Sequence, residues 1–292
     1  MERPTFDLQS HSVFSDGELR PREVVARAAA AGVELLALSD HDNLDGVAEA
    51  LEAGAEHGIA IVPAVEITAV DDDHDDIHLV GYLVDHSDPE LLARLAEARA
   101  ERVRRSHLMA EELERAGWSI DLEYLRLLEA EGGTLGRPHL AEALLRDPEN
   151  AERIAERGFE STGDVIEALI SRGKEAFVSR HHPTVAEAIG WVHDAGGVAV
   201  YAHPFFPAGE YGVEAVDDAV RRFAADGLDG IECFYVTHSR SETEQLHSLA
   251  RELGLMTTGS TDFHGPDHKQ FGGFRGFETW GLEVDLGPID LR

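Results

Sequence analysis

Short apolar runs rich in β-branched residues alternate along the chain with longer Ala-rich stretches whose apolar positions recur at helical spacing. That is the pattern of strands alternating with amphipathic helices. The runs Phe6–Gln9, Glu34–Leu38, Ala60–Val65, Ile77–Leu83, Val198–Tyr201, Gly230–Tyr235 and Met256–Gly259 predict seven strands. Helices are predicted over Pro21–Ala31, Leu44–His57, Thr184–Ala195, Val213–Ala225 and Ser241–Leu253. Pro21 suits a first helical turn, where its missing N–H leaves nothing unsatisfied, Gly32 suits the residue past a helix end, and Asn43 suits an N-cap. Such βα alternation predicts an α/β fold with a parallel barrel.

Between the fourth and fifth strands the pattern changes. Pro89 to Val178 is charged and helical, with Gly132-Gly133 and Asp147-Pro148 as breaks. A structureless segment of that length is improbable inside a compact domain. Residues 89–178 are therefore predicted as a helical insertion subdomain in a barrel built from residues 1–88 and 179–292. The acidic run Asp71–Asp76 reads as a solvated turn between strands three and four.

Composition narrows the chemistry. Hydrophobic residues make up 43% of the 292, yet no stretch approaches the ~18 consecutive apolar residues of a membrane span. An integral membrane protein is excluded on that count, and the N-terminal residues lack the regions of a signal peptide, so a cytoplasmic location is expected. Cys233 is the single cysteine, which excludes an intrachain disulfide and a thiolate zinc site. Any metal must be held by His, Asp and Glu. The formal charge of −32 disfavours binding to long nucleic acid, which rewards a basic surface through counterion release. Small anions need only a local positive site. Lys174 and Lys269 are the only lysines, and Arg99, Arg102, Arg104 and Arg105 share a predicted helix with Glu97 and Glu101, where pairing along the helix accounts for them.

Metal-capable residues follow strand after strand. His11 and Asp16 come after the first, Asp40-His41-Asp42 after the second, Glu66 at the end of the third and His78 within the fourth. His203, His238 and Asp262-Phe263-His264 follow the fifth, sixth and seventh. The C-terminal strand ends of a parallel barrel converge on one face, so these residues are expected to meet. Mixed imidazole and carboxylate ligands without thiolate suit Zn²⁺, Mn²⁺ or Fe²⁺, and a carboxylate such as Glu66 can bridge two ions. Ions placed close together suit displacement at phosphorus.

Asp7-Leu8-Gln9-Ser10-His11-Ser12 with Ser15-Asp16-Gly17, then Ser39-Asp40-His41-Asp42, Glu66, Ala202-His203-Pro204 and Ser260-Thr261-Asp262-Phe263-His264 resemble the motifs of PHP (polymerase and histidinol phosphatase) domains. The resemblance spans nearly the whole chain and implies a distorted (β/α)₇ TIM-like barrel. It implies two or three divalent ions, one set of ligands being His11, Glu66 and Asp262, a second Glu66, His78 and His203, and a third Asp16, His41 and His264. Gln9 stands where the family motif has histidine, and a carboxamide oxygen binds a transition metal less strongly than imidazole. The long helical insertion is similar to that of the stand-alone subgroup acting on 3′,5′-nucleoside bisphosphates or on short RNA from its 5′ end. By that resemblance Arg137, His139, Lys174 and Arg180 are expected to bind substrate, with Arg137 gripping a second phosphate. His238 is a further candidate for substrate contact, and His41, His264 or His238 for proton transfer. The partner implied is a small phosphorylated nucleotide or short RNA. Two other readings stay open on sequence: a histidinol-phosphate-type phosphatase, and a degenerate domain that binds metal or nucleotide without turnover because of Gln9.

Overall fold

A computed structural model describes residues 4–71, 74–130, 135–180, 182–205 and 213–291. Seven strands hydrogen-bond in sequence order into one sheet. They are β1 (Phe6–Asp7), β2 (Leu35–Leu38), β3 (Ala60–Asp71), β4 (His74–Tyr82), β5 (Val198–Tyr201), β6 (Gly230–Tyr235) and β7 (Met256–Ser260). The Leu8 N–H donates to the Gly259 carbonyl at 3.1 Å and the His11 N–H to the Phe263 carbonyl at 2.8 Å, so the last strand meets the first and the barrel nearly closes.

The expectation of an all-parallel barrel fails at one strand. β4 runs antiparallel to both β3 and β5, with Glu66 opposite Val80 and Tyr82 opposite Val198. Only residues 72 and 73 separate β3 from β4, and a parallel return needs a crossover of roughly a dozen residues. Both strands also run longer than the apolar pattern predicts, entering the acidic block that reads as a turn. Asp71 pairs with Arg222, which offsets one of those charges; Asp72 and Asp73 lie outside the described residues.

Helices α1 (Pro21–Ala30), α2 (Val47–His57), α8 (Val185–Asp194), α9 (Val213–Ala225) and α10 (Arg240–Leu253) belong to the barrel unit. Thr184 with Glu187, and Ser239 with Glu242, form reciprocal capping boxes that start α8 and α10. Asn43 does not cap α2, whose N-cap is Gly46. Its Oδ1 accepts from the Asp45 N–H and its Nδ2 donates to the Phe14 carbonyl, both at 2.9 Å, which ties this turn to the loop after β1.

The chain divides into two compact units, Met1–Leu95 with Pro183–Arg292, and Ala96–His182. The first boundary falls inside α3 (Pro89–Arg115) rather than at residue 89, because Leu91 and Leu95 are buried in the barrel core with Leu8, Leu35, Val62 and Leu79. The second boundary falls at 182 rather than 178. Taken by itself, the second unit holds the rest of α3, then α4 (Leu122–Ala130), α5 (Arg137–Arg146), α6 (Ala151–Arg157) and α7 (Thr162–Val165), which runs into a wide turn over Ile166–Ile170. Its described residues contain no strand, and its own core joins Leu113, Trp118, Leu140, Leu144, Leu169 and Ile170. Asp147-Pro148 breaks the chain after α5 as expected, while Gly132-Gly133 lies outside the described residues. Of the basic run on α3, Arg104 pairs with Glu101, but Arg105 is buried and its Nε donates to the Val178 carbonyl at 2.6 Å. Intrahelical pairing does not account for Arg105.

Candidate metal centre

The loop after β1 folds back tightly enough that a Cβ on Gly17 would lie 2.4 Å from the His11 carbonyl oxygen, a distance only glycine permits. Asp40, two residues past β2, clamps this loop by accepting from the Ser12 N–H, the Ser12 hydroxyl and the Ser15 hydroxyl at 2.6–2.7 Å. His11 is thereby fixed. Its Nδ1 lies 3.3 Å from Ser15 Oγ, whose own proton goes to Asp40, so Nδ1 is the donor and Nε2 is left for a second proton or a metal ion. That Nε2 is 3.1 Å from both Glu66 Oε2 and Asp262 Oδ1. Two carboxylates facing one ring nitrogen require positive charge between them, a proton on that nitrogen or a cation.

Glu66, 1% exposed, is the hub. Its Oε1 lies 2.5 Å from His78 Nδ1 and 3.4 Å from His203 Nε2, and its Oε2 lies 3.8 Å from His41 Nδ1. On the other side Asp16 sits 3.6 Å from both His41 Nε2 and His264 Nε2. The His264 Nδ1 lies 2.7 Å from the Asp262 carbonyl, which can only accept, so this ring carries its proton on Nδ1 and turns the Nε2 lone pair toward Asp16. Five imidazoles follow one another at ring separations of 4.3 Å (His264 to His11), 4.8 Å (His11 to His41), 5.1 Å (His41 to His78) and 5.1 Å (His78 to His203). Asp42, His203 and Asp262 hold positive φ angles, a strained backbone concentrated at this rim.

Donor atoms converge here in three groups, within each of which they lie no more than 4.8 Å apart: His11, Asp16, His41 and His264; His41, Glu66 and His78; His11, Glu66 and Asp262. His41 joins Glu66 and His78 where the resemblance implies His203, and His11 adjoins the set of Asp16, His41 and His264. Burial opposes charge on Glu66, yet the adjacent His41 and His78 hold its carboxyl well below the usual range. Burial likewise opposes charge on His11, and the facing Asp262 and Glu66 carboxylates outweigh it by favouring a proton on the ring, raising this imidazole well above its ordinary value. His11 Nε2, His78 Nδ1, Asp262 Oδ1 and Gln9 Oε1 are buried without a hydrogen-bond partner. Buried orphans of this kind, nitrogen and oxygen donors aimed at common points, fit divalent cations.

Gln9 lies among them, fully buried, its Nε2 donating to Glu66 Oε2 at 2.8 Å. The amide therefore directs a donor at an oxygen that would otherwise be open to an ion. We expect Gln9→His to raise the number or affinity of bound ions, measured by elemental analysis after dialysis against limiting Mn²⁺. Three chelator-resistant ions at full occupancy in the parent would sink this expectation.

Several contributors stand outside the expected ligand sets. The Tyr235 hydroxyl donates to Asp262 Oδ2 at 2.8 Å. Asp7 accepts from the Thr261 N–H and hydroxyl and from the Arg275 N–H, each at 2.8 Å, and burial pushes its carboxyl up to about 7. Glu232 is pushed up to about 8 by burial, with Asp262 and Glu66 adding to the effect. A charged residue inside the apolar run Gly230–Tyr235 is the sequence signal that could have found Glu232. His238 packs between Tyr235 and Phe205, with its Nδ1 3.1 Å from the Cys233 carbonyl. Burial draws it down to about 4, so it is neutral, with Nδ1 donating and Nε2 left as an acceptor. Ser239 caps the following helix.

The other expected substrate residues belong to the second unit. Arg137 opens α5, and His139 turns its Nδ1 to accept the Gly136 N–H at 3.1 Å, fixing the start of that helix. Lys174 is exposed and Arg180 is buried.

The model of the PHP domain matches residues 7–194. The chain belongs to the PHP family. Among PHP relatives, the 5′-3′ exoribonuclease Rnm of Escherichia coli is 35% identical over 265 residues, covering 89% of this chain and 85% of that protein. A 3′,5′-nucleoside bisphosphate phosphatase of Chromobacterium violaceum is 33% identical, covering 97% and 93%. A solved structure from Bifidobacterium adolescentis, described as a metal-dependent phosphoesterase, superposes with a TM-score of 0.77 at 31% identity, covering 97% and 94%. The seven-stranded, nearly closed α/β barrel is thus the distorted TIM-like barrel of this PHP group.

Proposed function

We propose that this protein is a metal-dependent phosphoesterase that hydrolyses a small phosphorylated nucleotide, a 3′,5′-nucleoside bisphosphate or a short oligoribonucleotide. The observation that carries the reading is the set of buried atoms on His11, His78 and Asp262 that make no hydrogen bond and gather around the Glu66 carboxylate. His11, Asp16, His41, Glu66, His78, His203, Asp262 and His264 would hold two or three ions, with Gln9 beside them. Bound divalent ions supply charge stabilisation at phosphorus and an activated water.

The remaining roles fall to the chain's own groups. The backbone carbonyl of Asp262 fixes the His264 tautomer, which keeps its Nε2 aimed at Asp16 and makes that ring a ligand rather than an acid. His41 has a nitrogen toward each of Asp16 and Glu66 and is the nearer candidate to move a proton. His238, with only Nε2 available and unprotonated, accepts a proton or a substrate hydroxyl and cannot begin as an acid. Tyr235 orients the Asp262 carboxylate. Arg137, Lys174 and Arg180 supply positive charge for phosphate, and the names carried by the two relatives point to the nucleotide class. A phosphate-release assay on 3′,5′-bisphosphates, nucleoside monophosphates and histidinol phosphate, with and without Mn²⁺ and chelator, tests this. Metal-dependent turnover favouring the bisphosphate is expected. No metal-dependent release from any of them would return the protein to a non-catalytic binding role, and preference for histidinol phosphate would reassign the substrate.

A further inference from the structure

Glu232 is 1% exposed and has both carboxyl oxygens committed. Its Oε2 accepts the His203 backbone N–H at 2.9 Å and its Oε1 accepts the Ser260 hydroxyl at 2.6 Å. One side chain on β6 thus ties His203, two residues past β5, to the last residue of β7. His203 needs such a hold. Its φ is +31°, in the left-handed region that side chains avoid, and Pro204 follows it. Its reach toward Glu66, 3.4 Å from Nε2 to Oε1, depends on that backbone. Ser260 stands two residues before Asp262, which is itself at φ +57°. Burying a carboxyl group is unfavourable where an apolar side chain would pack freely, so its presence calls for a task.

We propose that Glu232 is a positioning residue for the metal centre: its two hydrogen bonds hold His203, and through Ser260 the segment bearing Asp262, in the conformations that aim these side chains at Glu66. This rests on reading the cluster as a metal centre. The test compares the parent with Glu232→Met, which fills the space without accepting, and with Glu232→Gln. In Gln the side-chain oxygen can still accept from the His203 N–H while its amide donates to the Ser260 oxygen, which can accept as well as donate. Mn²⁺ affinity of each apoprotein is measured by equilibrium dialysis, folding by thermal unfolding without metal, and kcat and KM on a 3′,5′-bisphosphate at saturating Mn²⁺.

Glu232→Met is expected to weaken Mn²⁺ binding about 10- to 100-fold and lower kcat with KM little changed, and Glu232→Gln to recover to within about threefold of the parent. A Met variant within about twofold of the parent overturns the proposal. So does a Gln variant as weak as the Met one, since that assigns the effect to charge rather than to the hydrogen bonds. Should the Met variant fail to fold, Ser260→Ala removes one tether and leaves the carboxylate. Several-fold weaker Mn²⁺ binding then supports the proposal, and unchanged binding overturns it. A parent that binds no Mn²⁺ overturns the metal reading itself and the proposal with it, an outcome distinct from parent-like variants.

Discussion

Glu66→Ala is expected to cut phosphoester hydrolysis about 10³-fold or more, equivalent to about 4 kcal/mol of barrier. The carboxylate faces four of the candidate ligands, His11, His41, His78 and His203. Its removal leaves those imidazoles without the negative group around which cations would gather. The fold should survive, because the Glu66 backbone keeps its bond from the Asp42 N–H and its place opposite Val80 in the β3–β4 pair. Asp262→Ala should act in the same direction, since it removes the second carboxylate facing His11. The checks are kcat/KM, bound metal and thermal unfolding of each variant. Activity within a few-fold of the parent in both would place the chemistry elsewhere.

Arg137→Ala is expected to lower kcat/KM on a 3′,5′-bisphosphate by about 10- to 150-fold while sparing a monophosphate, because a guanidinium aimed at a distal phosphate helps only substrates that carry one. A single charge-assisted contact contributes roughly 1.5–3 kcal/mol, which gives that range. Equal losses on both substrates would assign Arg137 to the scissile phosphate or to general electrostatics. Unchanged activity on both would leave it a charge at the start of α5 with no part in binding.

Much of the barrel is legible in the sequence because its strands are apolar runs punctuated by helix signals: β5, β6 and α9 fall where the pattern predicts. β4 is the exception. Its acidic first residues mask a strand whose direction is set by a two-residue connection rather than by hydropathy, so the antiparallel run and His78's place within the hairpin are invisible to a βα template. The ligand candidates are legible because they follow strands one after another, and nearest-neighbour geometry then departs only in detail, as where His41 rather than His203 groups with His78. Glu232 and Tyr235 are a different case. Strict alternation puts residues three apart on opposite faces of a strand. The register shift between Glu232 and Phe234 adds one residue, and both side chains then reach the ligand-bearing segments, Glu232 at His203 and Tyr235 at Asp262. No periodicity announces a bulge.

The seam between β7 and β1 carries a consequence for how the molecule assembles. Asp7 and Thr261, joined there by two hydrogen bonds, are 254 residues apart in sequence, and the same seam brings His11 to Asp262 and His264. Closing so long a loop is entropically expensive and is rewarded only when everything between its ends is already in place. The cluster is therefore complete only after the last strand has docked. A divalent ion that needs ligands from both ends of the chain cannot bind the open barrel as it binds the closed one, so its binding draws the equilibrium toward closure by mass action. Ion uptake during refolding would thus report the final step of assembly, with the ion acting as a latch on the chain's two ends.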